Sequence, residues 1–187
     1  FNRREDEYGG SIENRARLIL EILQAIRSEL GRQFRVLIKL NSDDFIESGF
    51  TPEEMVQVAA LLELAGIDAV ELSGGMSLSV SKHSFSRIAK NDTKGEEIYY
   101  GDAAKLYKEK ISVPLILVGG IRSYELAKGL VEKELVDYIS LSRPLIREPG
   151  LIKRWQAGDI KKARCISCNG CFTPARAGKG LYCNPVI

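Results

Sequence analysis

Helical and strand-like segments alternate strictly along this chain, and this alternation limits the possible folds more than any other feature. A helical pattern extends from the Ser11 cap to Leu30, and a near-continuous apolar run follows from Phe34 to Asn41. Further apolar runs occupy Ala69 to Leu72, Pro114 to Val118 and Val136 to Leu141, with helical patterns between them. Strands that alternate with helices form parallel sheets with largely apolar strands. The sequence therefore predicts an α/β fold with four parallel strands and flanking helices.

Two architectures share this alternation, an open doubly wound sheet and part of a (β/α)₈ barrel. A complete barrel has eight strand–helix units, twice the number predicted here. Both architectures bind ligands at the carboxyl ends of their strands. The residues that follow each predicted strand are therefore the first candidates for a functional site.

Three of the predicted strands end in residues that suit an anionic ligand. Lys39 lies near the end of the first strand, Gly119 and Gly120 follow the third, and Ser142 and Arg143 follow the fourth. Glycine amides can approach an anion closely, and an arginine fork beside them supplies paired donors. A glycine pair alone is better explained by a turn that needs a positive φ than by a ligand site. The prediction of a phosphate site therefore depends on the combination of the third and fourth strand ends.

All four cysteines of the chain lie in its last 23 residues, with the spacing C-x₂-C-x₂-C-x₁₁-C. They are Cys165, Cys168, Cys171 and Cys183. Three thiolates on one tight loop and a fourth from a returning segment can surround a tetrahedral ion or an iron–sulfur cubane. Disulfide pairing is the alternative, which a reducing compartment disfavours. The spacing predicts a metal site and leaves both zinc and iron–sulfur open.

Charge and hydropathy exclude several classes of partner. The 27 basic and 25 acidic side chains are interspersed and leave a net charge of +2, which gives no basis for nucleic-acid binding. No apolar run approaches the ~18 residues that span a bilayer, and no secretory signal opens the chain. We therefore expect a cytoplasmic protein. The charged loop that begins at Phe1 further suggests a fragment of a longer protein.

Residues 2–18, NRREDEYGGSIENRARL, resemble the signature segment of the Old Yellow Enzyme family of FMN-dependent oxidoreductases. The later stretches VPLILVGGI and VDYISLSRPLIREPGL resemble the same family in order and spacing. The resemblance implies a TIM (β/α)₈ barrel, of which this chain is the C-terminal half, followed by a small cysteine-rich loop segment. The expected domains are residues 1–160, half of an FMN-binding barrel, and residues 161–187, a four-cysteine metal or iron–sulfur segment.

The resemblance also implies roles for the strand-end residues. Lys39 matches a basic residue near N1 and the C2 carbonyl of the flavin, where many members have arginine. The residues that match the phosphate-binding segments are Gly119, Gly120, Ser142 and Arg143. In the family, the histidine or asparagine pair that polarises the substrate carbonyl lies upstream of the matching region. We therefore expect the isolated chain to be inactive.

Three further residues are candidates for catalysis. His83 is the only histidine of the chain and lies in the long polar stretch after the second strand. An exposed polar residue is the simpler interpretation of a lone histidine between basic neighbours. Tyr99 and Tyr100 are predicted to be packing residues rather than proton donors.

Family members such as 2,4-dienoyl-CoA reductase and trimethylamine dehydrogenase have a similar cysteine segment that binds a [4Fe-4S] cluster. The resemblance therefore implies FMN, a [4Fe-4S] cluster, a nicotinamide cofactor, and a small-molecule substrate such as an activated alkene. It also implies a partner, either the missing N-terminal half of the barrel or a second copy of the chain. The alternative function is a non-catalytic α/β module stapled by a four-cysteine zinc site.

Overall fold

The computed structural model describes residues 2–79, 84, 86–87 and 97–184. These residues form four strands and seven helices in strict alternation up to the last strand. The strands are β1 (Leu37–Asn41), β2 (Ala69–Ser73), β3 (Leu115–Val118) and β4 (Tyr138–Ser140). The helices are α1 (Ile12–Leu30), α2 (Pro52–Leu64), α3 (Gly101–Lys110), α4 (Tyr124–Glu132), α5 (Arg143–Arg147), α6 (Leu151–Gln156) and α7 (Phe172–Arg176).

The four strands form one parallel sheet in the order β1-β2-β3-β4. The register pairs Lys39 with Glu71 and Val118 with Ser140. Doubly wound sheets reverse their strand order at a switch point, whereas consecutive strands of a barrel are neighbours. The observed order therefore confirms the predicted parallel α/β fold and selects the barrel from the two predicted architectures.

Local signals fix the boundaries of the first two helices, and α1 begins and ends where the sequence predicted. The Ser11 hydroxyl accepts a hydrogen bond from the Asn14 amide at the start of α1, and Gly31 ends that helix with a φ of 73°. At α2, Thr51 and Glu54 form a reciprocal capping box. Such caps satisfy backbone amides that the helix itself leaves without partners.

Other boundaries differ from the prediction. Strand β1 begins at Leu37 rather than Phe34, and β4 covers only Tyr138–Ser140. Helices α5 and α7 were not predicted. Each has only five residues and includes a proline, so neither is long enough to show helical periodicity.

The core lies between the sheet and its helices. Val70, Leu72, Leu115 and Leu117 are fully buried on the helix-facing side of the two central strands. The outer strands are more open, since Leu37 is 54% exposed and Tyr138 is 60% exposed. Strands β1 and β4 are therefore less well covered than the central strands, and each has only one neighbouring strand among the described residues.

Two aspartates connect neighbouring strands at the amino ends of the sheet through hydrogen bonds. Asp68, directly before β2, accepts a hydrogen bond from the Val36 amide at 2.7 Å and forms an ion pair with Arg27 at 2.6 Å. Asp137, which precedes β4, accepts hydrogen bonds from the Leu115 amide at 2.7 Å and from Lys108 at 2.9 Å. One carboxylate therefore joins β1 to β2, and the other joins β3 to β4. No helix among the described residues is long and apolar enough to cross a membrane.

Candidate functional site

A cavity of about 300 Å³ lies at the carboxyl ends of all four strands. Its wall includes every residue that the sequence predicted to bind a cofactor: Lys39, Gly119, Gly120, Ser142 and Arg143. Strands contribute because alternate side chains face the same side of a sheet. On this side β1 presents Asn41, β2 presents Ser73 and β4 presents Ser140. Residues more than a hundred positions apart in the chain therefore meet in one cavity.

Lys39 lines the cavity, and its ammonium group forms an ion pair with a neighbouring carboxylate. Its Nζ forms an ion pair with Oε1 of Glu71, the residue directly beside it in the β1–β2 register. Glu71 is half-buried, whereas the Lys39 side chain is exposed. Exposure weakens such a pair through solvent screening. A ligand at this position would therefore meet a lysine whose field is only partly balanced by a carboxylate.

The two glycines after β3 adopt conformations that other residues rarely take. Gly119 has a φ of 112° and Gly120 a φ of 81°. A Cβ atom on Gly120 would lie 2.7 Å from the carbonyl oxygen of Glu97 and 2.7 Å from the Tyr99 ring. The turn and these contacts are sufficient to explain the glycines, so their role at a phosphate remains a prediction.

Tyr100 packs beneath this turn. Its hydroxyl donates a 2.7 Å hydrogen bond to the carbonyl oxygen of Gly74, and its ring stands against Gly119. Burial raises the pKa of the Tyr100 phenol. A buried phenol that donates to a backbone carbonyl suits a packing role better than proton transfer.

Arg143 follows β4 at the edge of the cavity and contacts several segments. Its Nη1 donates to Asn169 Oδ1 at 2.6 Å, to the Arg87 carbonyl oxygen at 2.8 Å and to the Ser167 carbonyl oxygen at 3.3 Å. Each acceptor is an oxygen without a formal charge, so the guanidinium keeps its positive charge at the cavity. Within the part of the chain that the structure describes, this guanidinium is the strongest attraction for an anion that the predicted residues provide.

Arg122 is a wall residue that the sequence analysis did not select. It is 7% exposed, lines the cavity and donates from Nη1 to the Cys165 carbonyl oxygen at 3.4 Å. Its Nε lies 3.8 Å from the Glu97 carboxylate. Arg122 could have been predicted from its position two residues after the glycine pair, because ligands bind at such strand ends.

The four cysteines line a second cavity of about 260 Å³: Cys165, Cys168, Cys171 and Cys183. All four are free thiols, so the structure contains no support for the disulfide alternative. Arg143 and Ile146 line both this cavity and the larger one. The two cavities therefore adjoin across α5.

Donors surround the sulfur atoms. The amide of Ser167 donates to Cys165 Sγ, the amide of Gly170 donates to Cys168 Sγ, and Arg147 donates to Cys183 Sγ, each at 3.5 Å. Burial raises the pKa of Cys171, which opposes ionisation of that thiol unless a metal binds it. This donor set fits a metal or cluster with thiolate ligands.

The cysteines do not converge on a single point. Within the part of the chain that the structure describes, no three His, Cys, Asp or Glu side chains are grouped to hold a metal ion. A zinc ion with Zn–S distances of ~2.3 Å requires its sulfur ligands to lie close together. A cluster accepts more widely spaced thiolates, because each binds a different iron atom. His83, the remaining catalytic candidate, lies outside the described residues.

Sequence and structure comparisons find several proteins related to this chain. The sequence profile of the NADH:flavin oxidoreductase / NADH oxidase family matches residues 1–162. An NADH oxidase from Thermoanaerobacter brockii is 35% identical over 91% of this chain. The structure of histamine dehydrogenase from Rhizobium sp. 4-9 superposes with a TM-score of 0.78 at 27% identity, over 97% of the chain. An old yellow enzyme homologue from Zymomonas mobilis shares the fold at 22% identity, with a TM-score of 0.62 over 89% of the chain.

These relatives are much longer than this chain. The matched region spans 26% of the Thermoanaerobacter protein, 25% of histamine dehydrogenase and 43% of the Zymomonas protein.

Proposed function

The chain belongs to the NADH:flavin oxidoreductase / NADH oxidase family, and from this premise we propose that it is the C-terminal half of an FMN-dependent oxidoreductase barrel. The complete enzyme would take electrons from NAD(P)H and reduce an activated alkene or a related small molecule. Residues 1–160 would form the half barrel and residues 161–187 the metal-binding segment. The free thiols suit a reducing compartment, so we place the protein in the cytoplasm.

The observation that supports this proposal most directly is the cavity shared by all five predicted residues. The amides of Gly119 and Gly120, with Ser142 and Arg143, would bind the FMN phosphate through charge-assisted hydrogen bonds. Lys39 would place positive charge beside the ring, where negative charge develops on reduction. FMN in this position would supply the hydride-transfer chemistry.

We propose that the four cysteines bind a [4Fe-4S] cluster rather than zinc. Their common cavity supports this proposal, together with the resemblance of the cysteine segment to those of family members that bind such a cluster. The backbone amides and Arg147 would stabilise the negative charge of the thiolates. Such a cluster would supply one-electron transfer next to the flavin cavity.

The open sheet edges support a partner for this half barrel. Strands β1 and β4 each pair on one side only within the described residues. Either the other half of a barrel or a second copy of the chain would complete the pairing. We propose that this partner also provides the residues that polarise the substrate, since the described residues near the cavity include no histidine.

Flavin binding tests the proposal. The purified protein should bind FMN, as measured by the quenching of flavin fluorescence. Arg143→Ala should weaken binding at least tenfold, since loss of a hydrogen bond to a charged group costs ~1.5–3 kcal/mol. Arg143→Lys should weaken it less, because lysine keeps the charge but not the fork. Arg32→Ala is the matched control, because it removes an exposed arginine outside the cavity.

The zinc-module alternative predicts different results. It requires a colourless protein that contains one zinc ion per chain and does not bind FMN. Metal analysis and the visible absorption spectrum after anaerobic purification distinguish the two functions. Unchanged FMN affinity in Arg143→Ala would contradict the proposed phosphate site.

A further inference from the structure

We propose that Asn169 is a positioning residue that couples the occupancy of the four-cysteine site to flavin binding. It would do so by holding residues 86–87 against the wall of the flavin cavity. The inference rests on the proposed function, and it adds a thermodynamic link between two sites that could otherwise act independently.

Asn169 lies within the cysteine segment, directly after Cys168. Its side-chain amide donates to the Ser86 carbonyl oxygen at 2.8 Å, and its amide oxygen accepts from Arg143 at 2.6 Å. Its backbone has a φ of 61°, which asparagine tolerates better than most residues. The conformation of the cysteine loop therefore determines where this amide can reach.

Residues 86 and 87 are held from both sides. The Arg87 carbonyl oxygen accepts from Arg143 at 2.8 Å. The Arg87 guanidinium lies 4.7 Å from the ring centroid of Tyr99, 5.0 Å from that of Tyr100 and 5.3 Å from that of Phe45. Such cation–π contacts are stronger when the cation is shielded from water. This position therefore depends jointly on the aromatic rings, on Arg143 and on Asn169.

The same contacts reach the flavin cavity. Ser86 lines its wall, and Arg143 lines both cavities. A metal group bound by the cysteines on either side of Asn169 would fix the loop and therefore the asparagine amide. An emptied cysteine site would leave the loop without this constraint, so that Ser86 and Arg143 would be less well ordered for FMN. By linkage, FMN should favour metal occupancy to the same degree.

The test compares FMN affinity in protein reconstituted with iron and sulfide and in protein emptied by a chelator. Emptying the wild-type protein should weaken FMN binding about tenfold, the effect expected from losing one or two hydrogen bonds. Asn169→Ala should bind FMN equally in both forms, at the level of the emptied wild type. Asn184→Ala, an exposed asparagine beside Cys183, should behave as the wild type.

A second measurement does not require flavin. Trypsin cleavage after Arg87 should be slow in the reconstituted wild type and fast in the emptied form. In Asn169→Ala it should be fast in both forms. Asn169→Asp, which keeps an acceptor for Arg143 but loses the donor to Ser86, gives a second variant in case the alanine variant does not fold.

The outcomes separate the two proposals. If FMN binds the reconstituted and emptied wild type equally, and cleavage after Arg87 is also unchanged, the coupling is wrong and the flavin function stands. If FMN binds neither form, the proposed function is wrong, and the cleavage pattern alone decides whether Asn169 holds residues 86–87.

Discussion

At the scale of single residues, the ion pair between Lys39 and Glu71 determines how much positive charge a flavin would encounter. Glu71→Gln removes the balancing carboxylate and should stabilise an anionic reduced flavin. We expect the midpoint potential of bound FMN to rise by on the order of 30 mV, which corresponds to a tenfold change in the equilibrium constant of a two-electron reduction. Lys39→Met should lower it. Spectroelectrochemistry measures both shifts.

Glu109→Gln serves as the control for this prediction, because it removes an exposed carboxylate at the far end of α3. It should leave the potential unchanged. A lower potential in Glu71→Gln would show that the lysine charge does not act on the flavin.

The sequence could predict Lys39 but not its partner. A strand-end position suggested the lysine, whereas the pair depends on the β1–β2 register between residues 32 positions apart. Arg122 was missed for a related reason. Its contact with Cys165 joins segments 43 residues apart, and only the folded chain brings them together.

At the scale of elements, Asp68 joins β1 to β2 through hydrogen bonds that lower its pKa, above all the bond from the Val36 amide. A carboxylate with a lowered folded-state pKa stabilises the protein fully above its unfolded pKa of ~3.9 and loses that contribution as pH falls further. Asp68→Asn should therefore reduce the free energy of unfolding by roughly 1–3 kcal/mol at pH 7. The difference from wild type should shrink below about pH 4. Urea denaturation across this pH range measures it.

Asp102→Asn provides the comparison, since the Asp102 side chain is fully exposed and its ion pair is with the exposed Lys105. Its effect should stay within about 0.5 kcal/mol. Equal losses in the two variants would mean that the strand contacts of Asp68 contribute nothing specific.

Element types were predictable where periodicity and caps agreed, as at α1 and α2. The two short helices α5 and α7 were not predictable in this way. Helix α5 begins directly after β4 with a proline at its second residue, and α7 lies among the cysteines. Helices this short depend on packing rather than on intrinsic propensity, so their sequences show no helical pattern.

At the scale of the whole molecule, the two outer strands expose apolar side chains, and among the described residues each pairs with a strand on one side only. Such edges favour pairing with another chain. We expect the purified chain to associate, with a mass above that of one chain by light scattering. Leu37→Lys combined with Tyr138→Lys should shift it toward the monomer.

Leu64→Lys is the matched control, because Leu64 is 84% exposed but is the last residue of helix α2 rather than part of an outer strand. It should not change the mass. A monodisperse wild-type monomer at micromolar concentration would contradict the expected pairing, unless the other half of a barrel is supplied.

The aspartates that fasten the strands lie at the amino ends of the sheet, whereas both cavities lie at or beyond its carboxyl ends. This separation has a practical consequence for engineering. One library could randomise positions around Asp68 and Asp137 to improve thermal stability. A second, independent library at the carboxyl ends of the strands could be selected for substrate range. Gains from the two libraries should then combine with little interference.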